Sequence, residues 1–353
     1  MKHIVVVGCG VVGLTTAYIL VEKGYHVTIV ATWFPGDRGA NYTSPYAGAH
    51  WRTVATNEQA LEQEFDTVAY KKFLHLGRTI PDDTGVMVVP SYDYYDTLTD
   101  DTQNPWFKDV VEDFSFISPE HFPHSSTKVG HRYTTVLINS PHYLTWLLRQ
   151  FVSKGGKLHR QTLNCISEVF DGIDTVGKGE RQQVDGVVNC TGLGSLHLGG
   201  VKDPCLFPTR GQTVIVKGNH IKKTITCYQN GQISYVIPRA DGTIVLGGTA
   251  QQHDFNSDVD QATIDTILTQ TKALCPELSS KDRPLTILRH AVGFRPSRKG
   301  GVRIENERFD LGNGRYVVVT HGYGHGGFGF QSSWGSSALI SKLVEKGLSE
   351  SRL

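Results

Sequence analysis

Near its start the chain reads HIVVVGCGVVGLTTAYILVEKGYHVTIVA, and this stretch limits the fold more than any other. Residues 3–7 form an unbroken apolar run, which suits a strand buried on both faces. Gly8, Gly10 and Gly13 follow in the spacing GxGxxG. The helical pattern of VVGLTTAYILVEKG then runs to a stop at Gly24, and HVTIVA, 26–31, supplies a second apolar strand. Strand, glycine turn, helix and strand in that order are the setting in which this spacing binds a dinucleotide. Gly8 permits the tight turn, Gly10 lets the backbone approach a pyrophosphate, and Gly13 lets the helix lie against the strand. Val11 and Val12 open the helix, whose free N–H groups and positive dipole end face the phosphates. One usual element is missing. An acidic residue normally ends the second strand and holds ribose, but here the sequence has Ala31-Thr32, with Thr32 and Asp37 as the substitutes at hand.

The rest of the chain alternates between two characters. From about residue 51 to 133 glycines thin out and aromatic residues and acidic turns take over. SPHYLTWLLRQFVSK, 140–154, predicts a helix with Ser140 as N-cap and Pro141 at the first helical position. VDGVVNCTGLGS, 184–195, predicts a short strand that returns to the nucleotide sheet. GQTVIVKG, SYVIPRADGTIVLGGT and GGVRIENERFDLGNGRYVVVTHGYG then read as strands of an antiparallel sheet, ending in a strand, 316–320, back in the first domain. SDVDQATIDTILTQTKAL predicts a helix among them. The fold class is therefore α/β, with two interleaved, discontinuous domains. The nucleotide domain takes residues 1–50, 140–199 and 287–347; the second domain takes 51–139 and 200–286; 348–353 form a tail.

Totals narrow the partners. A net charge of +1 over 353 residues gives a nucleic acid nothing to bind by bulk attraction. No apolar run has the length of a membrane span, and the first one is broken by glycines and lacks a cleavage site. Cys9, Cys165, Cys190, Cys205, Cys227 and Cys275 form no CxxC pair, so no metal site is expected. Reduced thiols are the expectation, with one pair among the last three left open. The terminal Ser351-Arg352-Leu353 differs from the peroxisomal address Ser-Lys-Leu only by Arg for Lys.

The motifs VVVGCGVVGLTTA, YTSPYAGAHW, NPWFK, VVNCTGLGS, RGQTVIVK, SYVIPR, VLGGT, RHAVGFRPSR and HGYGHGGFGFQSSWG occur in that order. Together, from Val5 to Leu353, they resemble the D-amino-acid oxidases, the flavoenzyme family that includes D-aspartate oxidase, and most of all its fungal members. The resemblance implies a FAD-binding Rossmann-like domain interleaved with a substrate domain on a mixed or antiparallel β-sheet. It implies oxidative deamination of D-amino acids by O2 to 2-oxo acids, ammonia and hydrogen peroxide, with hydride passing from substrate Cα to flavin N5. A peroxide-forming enzyme gives the terminal tripeptide a purpose, as an address read by the import receptor of the peroxisome matrix. Assembly into a homo-oligomer is left open. The alternatives are an oxidase preferring neutral D-amino acids, a glycine- or sarcosine-oxidase-like flavoenzyme of the same fold, and a non-catalytic nucleotide-binding protein.

The resemblance also implies roles. Arg295 in GFRPSR would grip the substrate carboxylate with two parallel bonds, while Arg298 and Arg303 are expected at the surface. Tyr235 in SYVIP would donate its hydroxyl to that carboxylate, although its spacing with Ile233 and Ile237 also reads as core. His50 and Arg52 in GAHWR share a side if the segment is extended, where they could hold a second carboxylate; a flavin-contacting loop with Arg52 in solvent is the other reading. Ile225 and Ala250 complete the side-chain pocket, Ala250 giving space without charge. The balance leans slightly to acidic substrates. Thr43, Ser44, Ala47, Gly48, Cys190, Thr191 and Gly192 join the cofactor set. So do Gly324, Gly326, Gly327, Phe328, Gly329 and Gln331, at a second helix N-terminus that would face the redox end of the flavin. Gly327 would offer its carbonyl to the substrate amine, and His321 and His325 are expected to be structural or beside the flavin.

Overall fold

The computed structural model describes residues 1–173, 182–312 and 315–350. The expected address at Ser351-Arg352-Leu353 lies outside them. The strands in chain order are β1 (His3–Val7), β2 (His26–Ala31), β3 (Val86–Tyr95), β4 (Ser115–Phe116), β5 (Val129–Ile138), β6 (Lys157–Arg160), β7 (Gly186–Asn189) and β8 (Leu206–Lys217). They continue with β9 (Thr224–Gln229), β10 (Gln232–Pro238), β11 (Thr243–Gly247), β12 (Gln251–Gln252), β13 (Ile287–Arg298), β14 (Arg303–Gly312) and β15 (Arg315–Tyr323). The α-helices are α1 (Val11–Glu22), α2 (Ala60–Thr79), α3 (Pro81–Thr84), α4 (Asp100–Gln103), α5 (Ser140–Ser153), α6 (Gln261–Leu274) and α7 (Ser333–Glu350). Two compact units result: Met1–Pro45, Leu144–Thr209 and Arg295–Leu353, and Tyr46–Tyr143 with Arg210–Phe294.

The first unit is built on a six-stranded sheet ordered β14-β15-β7-β1-β2-β6. β1 pairs in parallel with β2 and β7, β2 with β6, and β7 with β15. The apolar run of β1 is fully buried, as a central parallel strand requires. α1 packs beside α7 through small residues: the Thr16 hydroxyl donates to Ser337 Oγ at 2.9 Å. A hydrophobic cluster joins Val5, Val7, Val30, Val187 and Val319 to Ile166 and Leu198. β14, expected in the antiparallel sheet, instead forms the antiparallel edge of this one, and β6 was not anticipated. Leu348–Glu350, expected in a tail, are the end of α7.

The second unit is built on a nine-stranded, mostly antiparallel sheet ordered β12-β8-β11-β10-β9-β3-β5-β4, with β13 pairing β8. α6 starts at Gln261, four residues later than SDVD suggested, because Asp260 caps it through Thr263 N at 2.7 Å. Its residues Ile264 and Ile267 bury Val214, Val236, Ile225 and Cys227 from β8, β10 and β9. Val89, Leu137, Ile215, Ile237 and Val245 form a separate cluster, against which Tyr235 is partly buried. Ser140 does not cap α5 as expected. Its hydroxyl donates to the Ala47 carbonyl, and Asn139 supplies the preceding carbonyl, to Tyr143 N at 2.8 Å.

Candidate active site

In the first unit the glycine turn leaves no room for side chains. A Cβ on Gly8, whose φ is +105°, would fall 2.5 Å from Cys190 O, and one on Gly13 would fall 2.1 Å from Gly8 O. Gly10 precedes α1 and caps it without a side chain, leaving the N–H groups of Val12 and Gly13 in the first turn for a ligand. Val11 N donates to Ser44 Oγ at 3.0 Å, and the Tyr42 hydroxyl donates to Cys9 O at 2.8 Å. Val12 follows in the buried first turn of α1, and Thr43 stands partly buried beside Ser44. β7 delivers Cys190 against this turn through Cys190 N to Val7 O at 2.8 Å. Asn189 Oδ1 then accepts from Thr191 N and Oγ1, at 3.2 and 2.9 Å, and shapes the loop into Gly192.

The late glycine run belongs to the same unit and meets the start of α1: a Cβ on Gly329 would stand 3.6 Å from Val11 Cγ1. Gly324 and Gly326 have φ of +88° and +53°, which favour glycine. Gly326 N donates to Pro296 O at 2.9 Å, placing the run on the GFRPSR segment. Gly327 and Arg295 come together there, since a Cβ on Gly327 would lie 3.2 Å from Arg295 Cδ. Phe328 is exposed, and Gln331 is buried just before α7.

The two histidines separate clearly. His325 is buried, its Nε2 has no hydrogen-bond partner among the described residues, and burial pulls its pKa down to about 4. His321 is fully partnered. Asn189 Nδ2 faces its Nδ1 at 3.2 Å and can only donate, so Nε2 carries the proton and donates to Glu307 Oε2 at 3.0 Å. Burial first, and the Arg303 charge second, pull His321 down to about 4.

Arg298 and Arg303 are not loose surface arginines. Arg298 Nε donates to buried Asp203 Oδ2 at 2.7 Å, the Tyr323 hydroxyl donates to the same oxygen at 3.0 Å, and Arg303 Nη1 donates to the Tyr323 hydroxyl at 2.9 Å.

In the second unit, strand alternation sorts the candidates. Tyr235 pairs with Thr226 and with Gly247. Its ring lies over two glycines, because a Cβ on Gly247 would fall 2.2 Å from Tyr235 Cζ and one on Gly248 would fall 2.6 Å from Cε1. The VLGGT motif thus makes the bed for this tyrosine. Thr224, Thr226 and Tyr228 share its side of the sheet. Ile225 does not. One step out of phase, it points into the core under α6, so it is removed from the side-chain pocket.

The GAHWR segment is extended, with Ala49 and Trp51 bonded to Ile138 and Val136, so His50 and Arg52 do share one side. His50 Nδ1 meets Thr224 Oγ1 at 3.1 Å. Burial, with the Arg52 charge added, pulls His50 down to about 3, so it is neutral. The Arg52 guanidinium lies 5.0 Å above the Tyr228 ring, which stacks on Tyr95 at 5.4 Å. Burial opposes the Arg52 charge, but Tyr228, Tyr95 and Asp93 raise its pKa above the usual range. Asp93 is buried, accepts from the Tyr133 hydroxyl at 2.8 Å, and has its pKa raised by burial. Arg52 Nε and Thr226 Oγ1 are buried without a hydrogen-bond partner among the described residues. The sequence reading missed Asp93, Tyr95 and Tyr133; a lone carboxylate amid the aromatics of VMVVPSYDYY was the available signal.

Ala47 and Gly48, expected at the cofactor, fall in the second unit, where their carbonyls accept from Arg239 Nη2 and Nε at 2.8 and 2.6 Å. Ala250 is exposed at the end of the VLGGT stretch.

A family model described as FAD dependent oxidoreductase matches residues 3–343. The chain belongs to that family. Within it, the chain is 35% identical to the D-amino-acid oxidase of Schizosaccharomyces pombe, over 97% of this chain and 96% of the relative. It is 36% identical to the D-amino-acid oxidase of Fusarium vanettenii, again over 97% and 96%. It is 32% identical to the D-aspartate oxidase of Cryptococcus neoformans var. grubii, over 95% of each. Solved structures agree on the fold of this FAD dependent oxidoreductase. The glycine oxidase of Geobacillus kaustophilus superposes with a TM-score of 0.75 at 18% identity, covering 98% of this chain and 95% of that one. The L-alpha-glycerophosphate oxidase of Mycoplasma pneumoniae with FAD bound gives 0.73 at 15%, with the same coverage.

The cofactor is therefore FAD, and the residues of the first unit fit it. The side-chain-free cradle at Gly8 and Gly13 suits a pyrophosphate, and the unpartnered His325 Nε2 suits a polar edge of the flavin. Among the described residues, no group of three or more His, Cys, Asp or Glu could hold a metal ion, and no helix is long and apolar enough to cross a membrane. The six cysteines are free thiols.

Proposed function

We propose that this flavoenzyme oxidatively deaminates D-amino acids and prefers those with an acidic side chain. When bound, FAD supplies the two-electron oxidation at substrate Cα and the reaction with O2 that yields hydrogen peroxide. The chain supplies orientation. Arg295 is a planar fork suited to the α-carboxylate, and the neighbouring Gly327 carbonyl, reached past no side chain, accepts from the amine. Tyr235 presents a hydroxyl donor from its glycine bed. No general base is needed when the amine binds neutral, because its lone pair drives the departure of hydride.

The preference rests on one observation: Arg52 Nε is buried and unpartnered, on a guanidinium already stacked on Tyr228. An unmet donor on a buried cation favours an anionic ligand group. Neutral His50 beside it donates through Nδ1 to Thr224 Oγ1, whose own proton goes to the Val236 carbonyl, and so adds no second charge to desolvate. The likeness to a D-aspartate oxidase supports the same reading.

Steady-state kinetics on D-aspartate and D-alanine test it. The expected result is a higher kcat/KM for D-aspartate, lowered roughly 100-fold by Arg52→Ala while D-alanine turnover changes little. A higher kcat/KM for D-alanine in the unaltered enzyme would sink the preference.

A further inference from the structure

The nucleotide sheet lacks the carboxylate that ordinarily ends its second strand and holds the adenosine ribose. β2 ends at Ala31, and Thr32 follows. A carboxylate reaches this edge from the turn beyond. Asp37 Oδ2 accepts from Phe34 N at 2.8 Å and from Arg160 Nη1 at 2.6 Å. Arg160 is the last residue of β6 and stands in register with Ala31. The same Nη1 donates to Thr32 O at 2.8 Å, and the guanidinium covers the Phe34 ring at 5.0 Å. Arg160 thus fastens the 32–37 turn to the end of the strand.

Two further observations tie this turn to the glycine cradle. Just beyond Asp37, the Gly39 carbonyl accepts from Tyr42 N at 2.9 Å, and the Tyr42 hydroxyl donates to Cys9 O, inside the glycine turn, at 2.8 Å. Thr32 Oγ1 donates to Thr162 Oγ1 at 3.0 Å, so two hydroxyls meet beyond adjacent parallel strands, on the side where such sheets bind ligands. The Asp37–Arg160 pair is too exposed, at 29% and 58%, to matter much for stability, so its use is positional.

We propose that Asp37, held in place by Arg160, replaces the missing strand-end carboxylate and accepts the ribose hydroxyls of the FAD adenosine through Oδ1, with the Thr32–Thr162 hydroxyl pair completing the ribose edge. Asp37 remains ionised for this task, because the bond from Arg160 and then that from Phe34 N hold its carboxyl below the usual range. Arg160 is a positioning residue, since it reaches the ligand only through Asp37 and the Thr32 backbone.

The test titrates FAD into the flavin-stripped full-length chain and reads Kd from the flavin fluorescence. A parallel titration uses a FAD analogue whose adenosine lacks the 2′- and 3′-hydroxyls. Asp37→Asn is expected to weaken FAD about tenfold and to leave the analogue unchanged, while Asp37→Glu recovers part of the loss. Arg160→Gln should weaken FAD in the same selective way, but less. Unchanged FAD affinity in Asp37→Asn overturns the assignment. So does an equal loss for FAD and the analogue, which marks a structural role only.

Discussion

A Cβ on Gly327 would sit 3.2 Å from Arg295 Cδ, tighter than nine in ten real contacts of that kind. Gly327→Val therefore displaces either the arginine or the loop that carries the carbonyl. An ångström of misplacement at a reacting centre is enough for a loss of roughly 100-fold. Stopped-flow reduction by a D-amino acid should show that loss while flavin content stays at the unaltered level; full turnover, or flavin lost in parallel, would contradict the placement. At this scale the sequence was legible where geometry permits one residue type. Gly8 and Gly13 announce themselves because no side chain fits. Ile225 was misread because a residue's face depends on strand phase, which only the pairing with Val236 reveals. Arg298 was misread because nothing in GFRPSR shows that Asp203, far off in sequence, lies beneath it.

Elements were legible where burial makes them periodic. β1, α1 and β2 could be read because a parallel strand must be apolar throughout and a glycine turn must follow it. β6 escaped because KLHR is a short polar edge strand. β14 was given to the wrong sheet, since alternation in RIENERFDLG identifies a strand and not its partner. The partner is β15, and with β7 the three strands share a relay: partly exposed Glu307 on β14, with buried His321 on β15 and Asn189 on β7. Protonating His321 sets an N–H against the Asn189 amide that now donates to it, so the relay holds only with neutral histidine. The folded pKa of about 4 lies below the free value of 6.5, so the unfolded chain takes up the proton first as pH falls. Stability is kept above about pH 6.5, declines between there and about pH 4, and loses on the order of 3 kcal/mol for this one group. Thermal midpoints over that window should fall less steeply in His321→Gln than in the unaltered chain. Identical slopes would remove His321 from the acid response.

Over the whole molecule, two interleaved units close after 45, 143, 209 and 294, where the alternation of strand-rich and glycine-turn segments suggested breaks after 50, 139, 199 and 286. What composition could not show is the division of labour. The first unit carries the cofactor cradle, Arg295 and Gly327; the second carries Tyr235, His50 and Arg52. Each holds buried polar atoms without partners, His325 Nε2 in one, Arg52 Nε and Thr226 Oγ1 in the other, as ligand sites do. This FAD enzyme oxidises D-amino acids. Anaerobic mixing of the yellow holoenzyme with D-aspartate, D-alanine and their L-enantiomers tests it most directly. The D-enantiomers are expected to bleach the flavin, fastest with D-aspartate, and admitted oxygen to restore the colour with release of hydrogen peroxide. A flavin that stays yellow with every D-amino acid, or bleaches as fast with the L-enantiomers, would contradict it.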